Sequence, residues 1–90
     1  MVLTGCGHAG IVNIVRHAKR LTGVDQIHAV LGGFHLRDGP VVAATVAALA
    51  AEAPSVLVPA HCTSWKAQYA LAAALPTAFR PNAVGSRFAL

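Results

Sequence analysis

Three short apolar segments, each followed by a turn and then by a segment with helical periodicity, constrain the fold of this 90-residue chain more than any other feature. Alternation of this kind predicts an α/β fold with a mainly parallel sheet and right-handed crossovers, in the order β-α-β-α-β-α-β. The predicted strands are residues 2–4, 27–31 and 56–58, with a last short strand at 87–90, and the predicted helices cover about 11–22, 41–51 and 64–74.

Capping and breaking residues set the predicted helix ends. Thr22-Gly23 is a stop signal for the first helix, Pro40 suits the first turn of the second, and Ser64 is a plausible N-cap for the third. Apolar spacing then predicts the buried faces. These are Ile11, Ile14, Val15 and Ala18 in the first helix, Val42, Thr45, Val46 and Leu49 in the second, and Trp65, Tyr69, Ala72 and Leu75 in the third.

The composition predicts a partner surface. Hydrophobic residues make up 56% of the chain and charged residues only 11%. A domain of this size buries about 60% of the surface of its unfolded chain, so its stability is marginal without reinforcement. The outer face of the second helix is nearly all alanine, which allows another element to pack closely on it. We therefore expect either a second copy of the chain or the missing part of a larger fold.

The net charge of +4 does not by itself indicate nucleic-acid binding. Only Arg16, Lys19 and Arg20 cluster, and no aromatic residues interleave with them to stack on bases. A solvated helix face is the favoured interpretation, and a phosphate-bearing ligand is the alternative. No apolar run reaches the roughly 20 residues of a membrane span, and no signal peptide is evident, so we expect a cytoplasmic protein.

Three histidines follow the ends of the predicted strands: His8, His35 and His61. Loops at the carboxyl ends of neighbouring parallel strands meet at one edge of the sheet, so these side chains are expected to converge. A neutral imidazole is a good ligand for zinc, iron or manganese. The pattern predicts one divalent-metal site, with zinc as the first expectation. Taken singly, each histidine also fits a hydrogen bond to nearby backbone, and His17 and His28 lie away from this edge.

The motifs around these histidines resemble a known family. Gly5–Gly10, Gly32–Leu36 and His61–Thr63 look like successive motifs in the C-terminal half of metallo-β-lactamase-superfamily hydrolases. The nearest branch is similar to dihydropterin-ribofuranosylaminobenzene phosphate synthases. The resemblance implies that residues 1–90 form a single domain equivalent to one half of an αββα sandwich. It also implies a metal-dependent hydrolase.

The resemblance further implies roles for the three histidines. His8 matches a ligand of the first metal, His61 matches a ligand of the second, and His35 lies near the position of a bridging aspartate. That bridging role is not transferred to Asp38, which lies beyond the motif. The family's upstream His-x-His-x-Asp-His motif does not occur in these 90 residues, so the chain is expected to hold part of a site. The alternative is a non-catalytic metal-binding or structural oligomer that keeps the half-fold.

Two cysteines lie within two residues of candidate ligands. Cys6 and Cys62 do not form a secreted disulfide framework, although one disulfide between them is possible. Cys62 fits either a group that supports a ligand or a small buried residue, and the second interpretation is favoured. Thr63 fits either a group that orients His61 or a helix cap, and capping is favoured.

Overall fold

The computed structural model describes residues 1–90 and has strand and helix in strict alternation. Its elements are β1 (Val2–Thr4), α1 (Ile11–Thr22), β2 (Ala29–Gly33), α2 (Pro40–Glu52), β3 (Val56–Ala60) and α3 (Trp65–Ala74). The three strands form one parallel sheet in the order β1-β2-β3. The predicted α/β class is therefore confirmed, with the parallel sheet and helices of half an αββα sandwich.

The predicted last strand at residues 87–90 is not formed, because those residues have no regular secondary structure. The outer edge of β3 is instead contacted by the segment that directly follows α3. Leu57 donates its N–H to the carbonyl of Ala78 and accepts from the N–H of Arg80, at 2.9 and 2.8 Å. These two bonds, with a single bridge between Leu57 and Phe79, occupy part of the edge that a fourth strand needs.

One face of the sheet carries the hydrophobic core. Val2, Val30 and Leu57 lie in register across the three strands, and all three are buried. They pack in one cluster with residues from every helix, so the helices cover the same face of the sheet. The helical members of the cluster are Ile11 and Val15 from α1, Leu49 from α2, and Ala67 and Leu71 from α3. Right-handed crossovers, as predicted from the sequence, place successive helices on one face of a sheet when each new strand is added beside the previous one in the same direction.

The opposite face of the sheet is only partly covered. Leu3, Leu31 and Val58 form its register row, one residue along from the core row. Val58 is buried and Leu31 is half-buried, but Leu3 is 73% exposed. A parallel sheet is normally covered on both faces, so the β1 end of this face lacks a partner within the chain.

Helix α1 follows its predicted boundaries. It ends at Gly23, which has the left-handed conformation (φ 68°) and donates its N–H to the carbonyl of Lys19. The Lys19 ammonium also contacts the Glu52 carboxylate of α2 at 2.9 Å, and both side chains are partly exposed. None of the three helices is long and apolar enough to cross a membrane.

Helix α3 begins as predicted but buries a different face. The Ser64 hydroxyl accepts a hydrogen bond from the N–H of Ala67 at 3.2 Å, which confirms Ser64 as the N-cap. The predicted inward aromatics are wrong, because Trp65 and Tyr69 are each 74% exposed. Ala67 and Leu71, one turn apart, are fully buried instead. The small Ala67 side chain lets the first turn of α3 approach the core closely.

Strand β2 extends two residues beyond its predicted end. Its glycines, Gly32 and Gly33, pair with Pro59 and Ala60 of β3. Gly32 has φ 118°, and a Cβ there would collide with the backbone oxygen of Thr4, so a side chain is excluded. The glycine pair is therefore part of the strand and brings β1 and β2 close together at the edge where the candidate site lies.

Candidate metal centre

The three predicted site histidines lie at the carboxyl edge of the sheet, after β1, β2 and β3 respectively. The structure divides them into two groups. His8 and His35 form one, which we call the histidine pair, with ring centroids 4.4 Å apart and an interplanar angle of 52°. His61 lies instead beside the two cysteines. The ligand roles of the three histidines stay a prediction, but their placement at one edge agrees with the strand order.

The second group is Cys6, His61 and Cys62, which we call the thiol cluster. Its potential ligand atoms, two sulfurs and one imidazole nitrogen, all lie within 4.8 Å of one another. His61 Nε2 and Cys6 Sγ share a hydrogen bond of 3.0 Å. The Cys62 thiol donates to the Cys6 carbonyl at 2.9 Å. Both cysteines are free thiols, so the possible disulfide is not formed.

The environment of Cys6 favours its protonated form. Partial burial raises the pKa of the Cys6 thiol above its ordinary value, and the charge and hydrogen bonding of Cys62 raise that pKa further. Two thiols this close cannot both ionise easily without a counter-charge. A cation bound between them supplies that counter-charge, because the thiolate is the form that binds a metal.

The turns that carry the site are strained at two histidines. His35 has φ 50° and His61 has φ 48°, both in the left-handed region. Such backbone costs about 1–2 kcal/mol per non-glycine residue, and histidine is among the side chains found there more often. Strain of this size persists only where surrounding contacts hold the turn, and it concentrates at functional sites.

Buried Thr63 supplies one of the contacts that hold these turns. Its hydroxyl accepts from the N–H of Phe34 at 3.1 Å and donates to the carbonyl of Ala60 at 3.0 Å. It thereby joins the loop of His35 to the loop of His61. The favoured capping role of Thr63 is wrong, because the side-chain cap of α3 comes from Ser64.

Gly33 allows the cysteine-bearing loops to meet. A Cβ at Gly33 would lie 2.5 Å from the Gly5 carbonyl oxygen, 2.9 Å from Cys62 Sγ and 3.0 Å from the Cys6 Cα. Side chains do not tolerate such distances to backbone atoms. Gly33 therefore lies directly against the thiol cluster, at a position that excludes a side chain.

Two shallow clefts open at this edge, and His35 lines both. One, of about 260 Å³, is lined by His35, Arg37, His61, Cys62, Thr63 and Ser64. The other, of about 310 Å³, contains His8 and His35 beside residues of α1 and α2. Arg37 is exposed and is the one charged residue lining the first cleft. The nitrogen and sulfur donors of this cleft suit a borderline metal, and the Arg37 guanidinium beside them suits an anionic ligand.

Sequence reasoning undervalued Cys6 and Cys62. The favoured interpretation of Cys62 as a small buried residue is wrong, because the residue is only half-buried and its sulfur accepts a hydrogen bond from the His35 N–H at 3.2 Å. The available signal was proximity, since each cysteine lies within two residues of a candidate ligand. His17 makes its side-chain contact with Arg20, at 3.4 Å, and His28 precedes β2 at the opposite edge, as predicted.

Comparison with known proteins finds partial matches to the chain. No protein-family model matches the chain. The chain is 34% identical over 70 residues to 7,8-dihydropterin-6-methyl-4-(β-D-ribofuranosyl)-aminobenzene-5'-phosphate synthase of Methanocaldococcus jannaschii. The aligned region covers 76% of the chain and 24% of that relative. An uncharacterized protein of the same organism is 50% identical over 36 residues, covering 40% of the chain and 13% of that protein.

A solved structure is similar to nearly the whole chain. It is that of Tm1679, described as a metal-dependent hydrolase of the β-lactamase superfamily. The TM-score is 0.87 with 27% sequence identity, over 98% of this chain and 35% of that chain. The chain thus spans about a quarter to a third of these two proteins. The resemblance predicted from the three motifs, including its branch, is confirmed.

Proposed function

Because this chain is a portion of a metallo-β-lactamase-superfamily fold, we propose that it supplies part of the divalent-metal centre of a hydrolase. The observation that carries the proposal is the 98% coverage, at a TM-score of 0.87, by a metal-dependent hydrolase. The proposed ligands are His8, His35 and His61, from the three loops at the carboxyl edge of the sheet. Zinc is the proposed metal, with iron or manganese as alternatives.

The proposed centre needs donors from outside the described residues. The chain has no His-x-His-x-Asp-His motif, and the thiol cluster contains no carboxylate. We propose that a missing N-terminal half, or a second copy of the chain, supplies the remaining ligands. The exposed Leu3 on the sheet face supports such a partner. Burying one side chain of this size stabilises an assembly by about 1.5–3 kcal/mol.

The residues of this chain have separate tasks in the proposed reaction. A bound divalent metal supplies a Lewis acid and lowers the pKa of bound water, which provides a nucleophile at neutral pH. The imidazoles of His8 and His61 offer neutral nitrogen donors that fix the position of the ion. Exposed Arg37, at the cleft beside His61, would orient an anionic group of the substrate. An ester or phosphoester is the proposed substrate class.

Metal analysis combined with mass in solution tests the proposal. Protein purified without chelator is expected to carry zinc, iron or manganese in an assembly larger than the 9.2 kDa chain. His8→Ala and His61→Ala are expected to reduce the metal content, while His17→Ala, on an exposed helix face, leaves it unchanged. A metal-free monomer that takes up no ion on titration would contradict the proposal.

The alanine-rich outer face of α2 and the exposed Leu3 favour a second candidate function, a metal-binding or structural oligomer without catalysis. The two are separated by assaying the metal-loaded assembly with an activated ester and an activated phosphodiester. Turnover that is lost in His8→Ala supports the hydrolase. Bound metal without turnover of either compound supports the non-catalytic oligomer.

A further inference from the structure

We propose that Cys6, His61 and Cys62 form a thiolate zinc site that is complete within one chain. This ligand set differs from the three-histidine set of the proposed hydrolase centre, with which it shares only His61. It needs neither His8 nor a second polypeptide, so it does not rest on the proposed function. Two of its members, His61 and Cys62, line the cleft that also contains His35 and Arg37.

The separation of the donor atoms suits a zinc ion. Zn–S bonds of about 2.3 Å and Zn–N bonds of about 2.0 Å in tetrahedral geometry place the donors about 3.5–3.8 Å apart. The three donors lie within 4.8 Å of one another before any ion is added. The 3.0 Å contact between His61 Nε2 and Cys6 Sγ has to widen slightly to admit the ion. Small side-chain rotations achieve this because Cys6, Cys62 and His61 are all partly or fully exposed.

The donor chemistry selects the metal. Two sulfurs and one imidazole form a soft set that favours zinc over manganese, which prefers oxygen ligands. On binding, each thiol releases one proton to solvent, so the dipositive ion and two thiolates make a neutral group. The bond from the Cys62 thiol to the Cys6 carbonyl is exchanged for a Zn–S bond. The His35 N–H, already directed at Cys62 Sγ at 3.2 Å, continues to donate to the thiolate.

The backbone holds the three donors together before metal arrives. Gly33 leaves room for the backbone of Cys6 and the sulfur of Cys62 to meet above it. The loop of Cys62 is fixed to the loop of His35 by two further backbone bonds. Leu36 donates to the Cys62 carbonyl at 3.2 Å, and Ser64 donates to the Leu36 carbonyl at 2.8 Å. Preorganisation of this kind reduces the ordering cost of binding.

Cobalt substitution on the purified, reduced protein tests the proposal. Co²⁺ replaces zinc in such sites and gives an intense near-ultraviolet thiolate-to-metal charge-transfer band. The wild-type chain is expected to bind one Co²⁺ with this band, and added Zn²⁺ is expected to displace it. Because this spectrum is measured on the unaltered chain, it does not depend on the folding of any variant.

Variants then assign the ligands. Cys6→Ser and Cys62→Ser, checked for native circular dichroism, are each expected to lose much of the band and to bind at least about tenfold more weakly. His61→Ala is expected to weaken binding but keep the band. His17→Ala, on an exposed helix face, is the control and keeps both. The proposal is overturned if wild type shows no charge-transfer band, or if His8→Ala abolishes Co²⁺ binding that both cysteine variants retain. Hydrolase activity, present or absent, does not enter this test.

Discussion

The thiol cluster and the histidine pair lie at the same edge of the sheet but differ in how they are held. Cys6, His61 and Cys62 are joined to one another by two hydrogen bonds. His8 and His35 make only a tilted ring contact, and both are exposed. The cluster is therefore organised within the chain, whereas the pair is open to donors from elsewhere.

Two different features of the fold decide where these side chains lie. Parallel strand order is enough to bring three loops to one edge, and so it accounts for both groups. Which side chains meet within that edge depends on individual turns, because a left-handed residue redirects the side chains that follow it. His35 and His61 both have such backbone, yet only the His61 imidazole contacts a thiol, whereas His35 contacts Cys62 Sγ through its backbone N–H.

Gly33→Ala is expected to have the largest effect on stability, because it disturbs the thiol cluster directly. Its methyl group meets the Gly5 carbonyl oxygen at 2.5 Å and Cys62 Sγ at 2.9 Å, which forces the cysteine loops apart. Overpacking of this kind costs about 3 kcal/mol of unfolding free energy, measured by urea denaturation. Gly5→Ala is the matched control, since a Cβ there has no atom within 4 Å. Equal stability of the two variants would contradict the close approach.

Thr63→Val tests the connection between the two groups and is expected to have an intermediate effect. The change keeps the shape of the side chain but leaves the Phe34 N–H without its partner, while the Ala60 carbonyl keeps only its bond from the Thr63 backbone N–H. Unpaired buried groups cost about 1–3 kcal/mol, again measured by urea denaturation. Thr22→Val, at an exposed position at the end of α1, should change stability much less. A neutral Thr63→Val would show that the loops are held by other contacts.

Replacing each of the two left-handed histidines with glycine is expected to have the smallest effect on stability, and the two variants should differ. His35→Gly relieves backbone strain of about 1–2 kcal/mol, partly offset by the greater freedom of glycine in the unfolded chain. Its thermal midpoint is expected to rise slightly. His61→Gly relieves similar strain but loses the bond to Cys6, so its midpoint should rise less or fall. A larger gain for His61→Gly would mean that the cluster contributes nothing to stability.

The sequence predicted the elements whose signals are local. Helix α1 has a distinct apolar stripe and a glycine stop, and both its boundaries and its buried face, with Ile11 and Val15, follow from them. Helix α3 has apolar residues on every side, so its pattern does not select a face. The large aromatics Trp65 and Tyr69 were the natural candidates for the core, but the space against the sheet admits Ala67 and Leu71.

The same distinction applies to the site. The convergence of His8, His35 and His61 on one edge follows from strand order alone, and the structure has them there. The contact of Cys6 with His61, 55 residues apart, depends on the φ angles of two turns and on the absence of a side chain at Gly33. Such tertiary details have no periodic signal, so the cysteines could be noticed in the sequence but their partners could not be assigned.

X-ray absorption at the zinc edge, on the isolated chain loaded with one zinc, tests the central claim most directly. Two sulfur neighbours at about 2.3 Å and one imidazole nitrogen at about 2.0 Å are predicted, with a light atom in the fourth position. Such a first shell would establish that Cys6, His61 and Cys62 hold the ion. A shell of nitrogen and oxygen alone would contradict the account and assign the metal to the histidines.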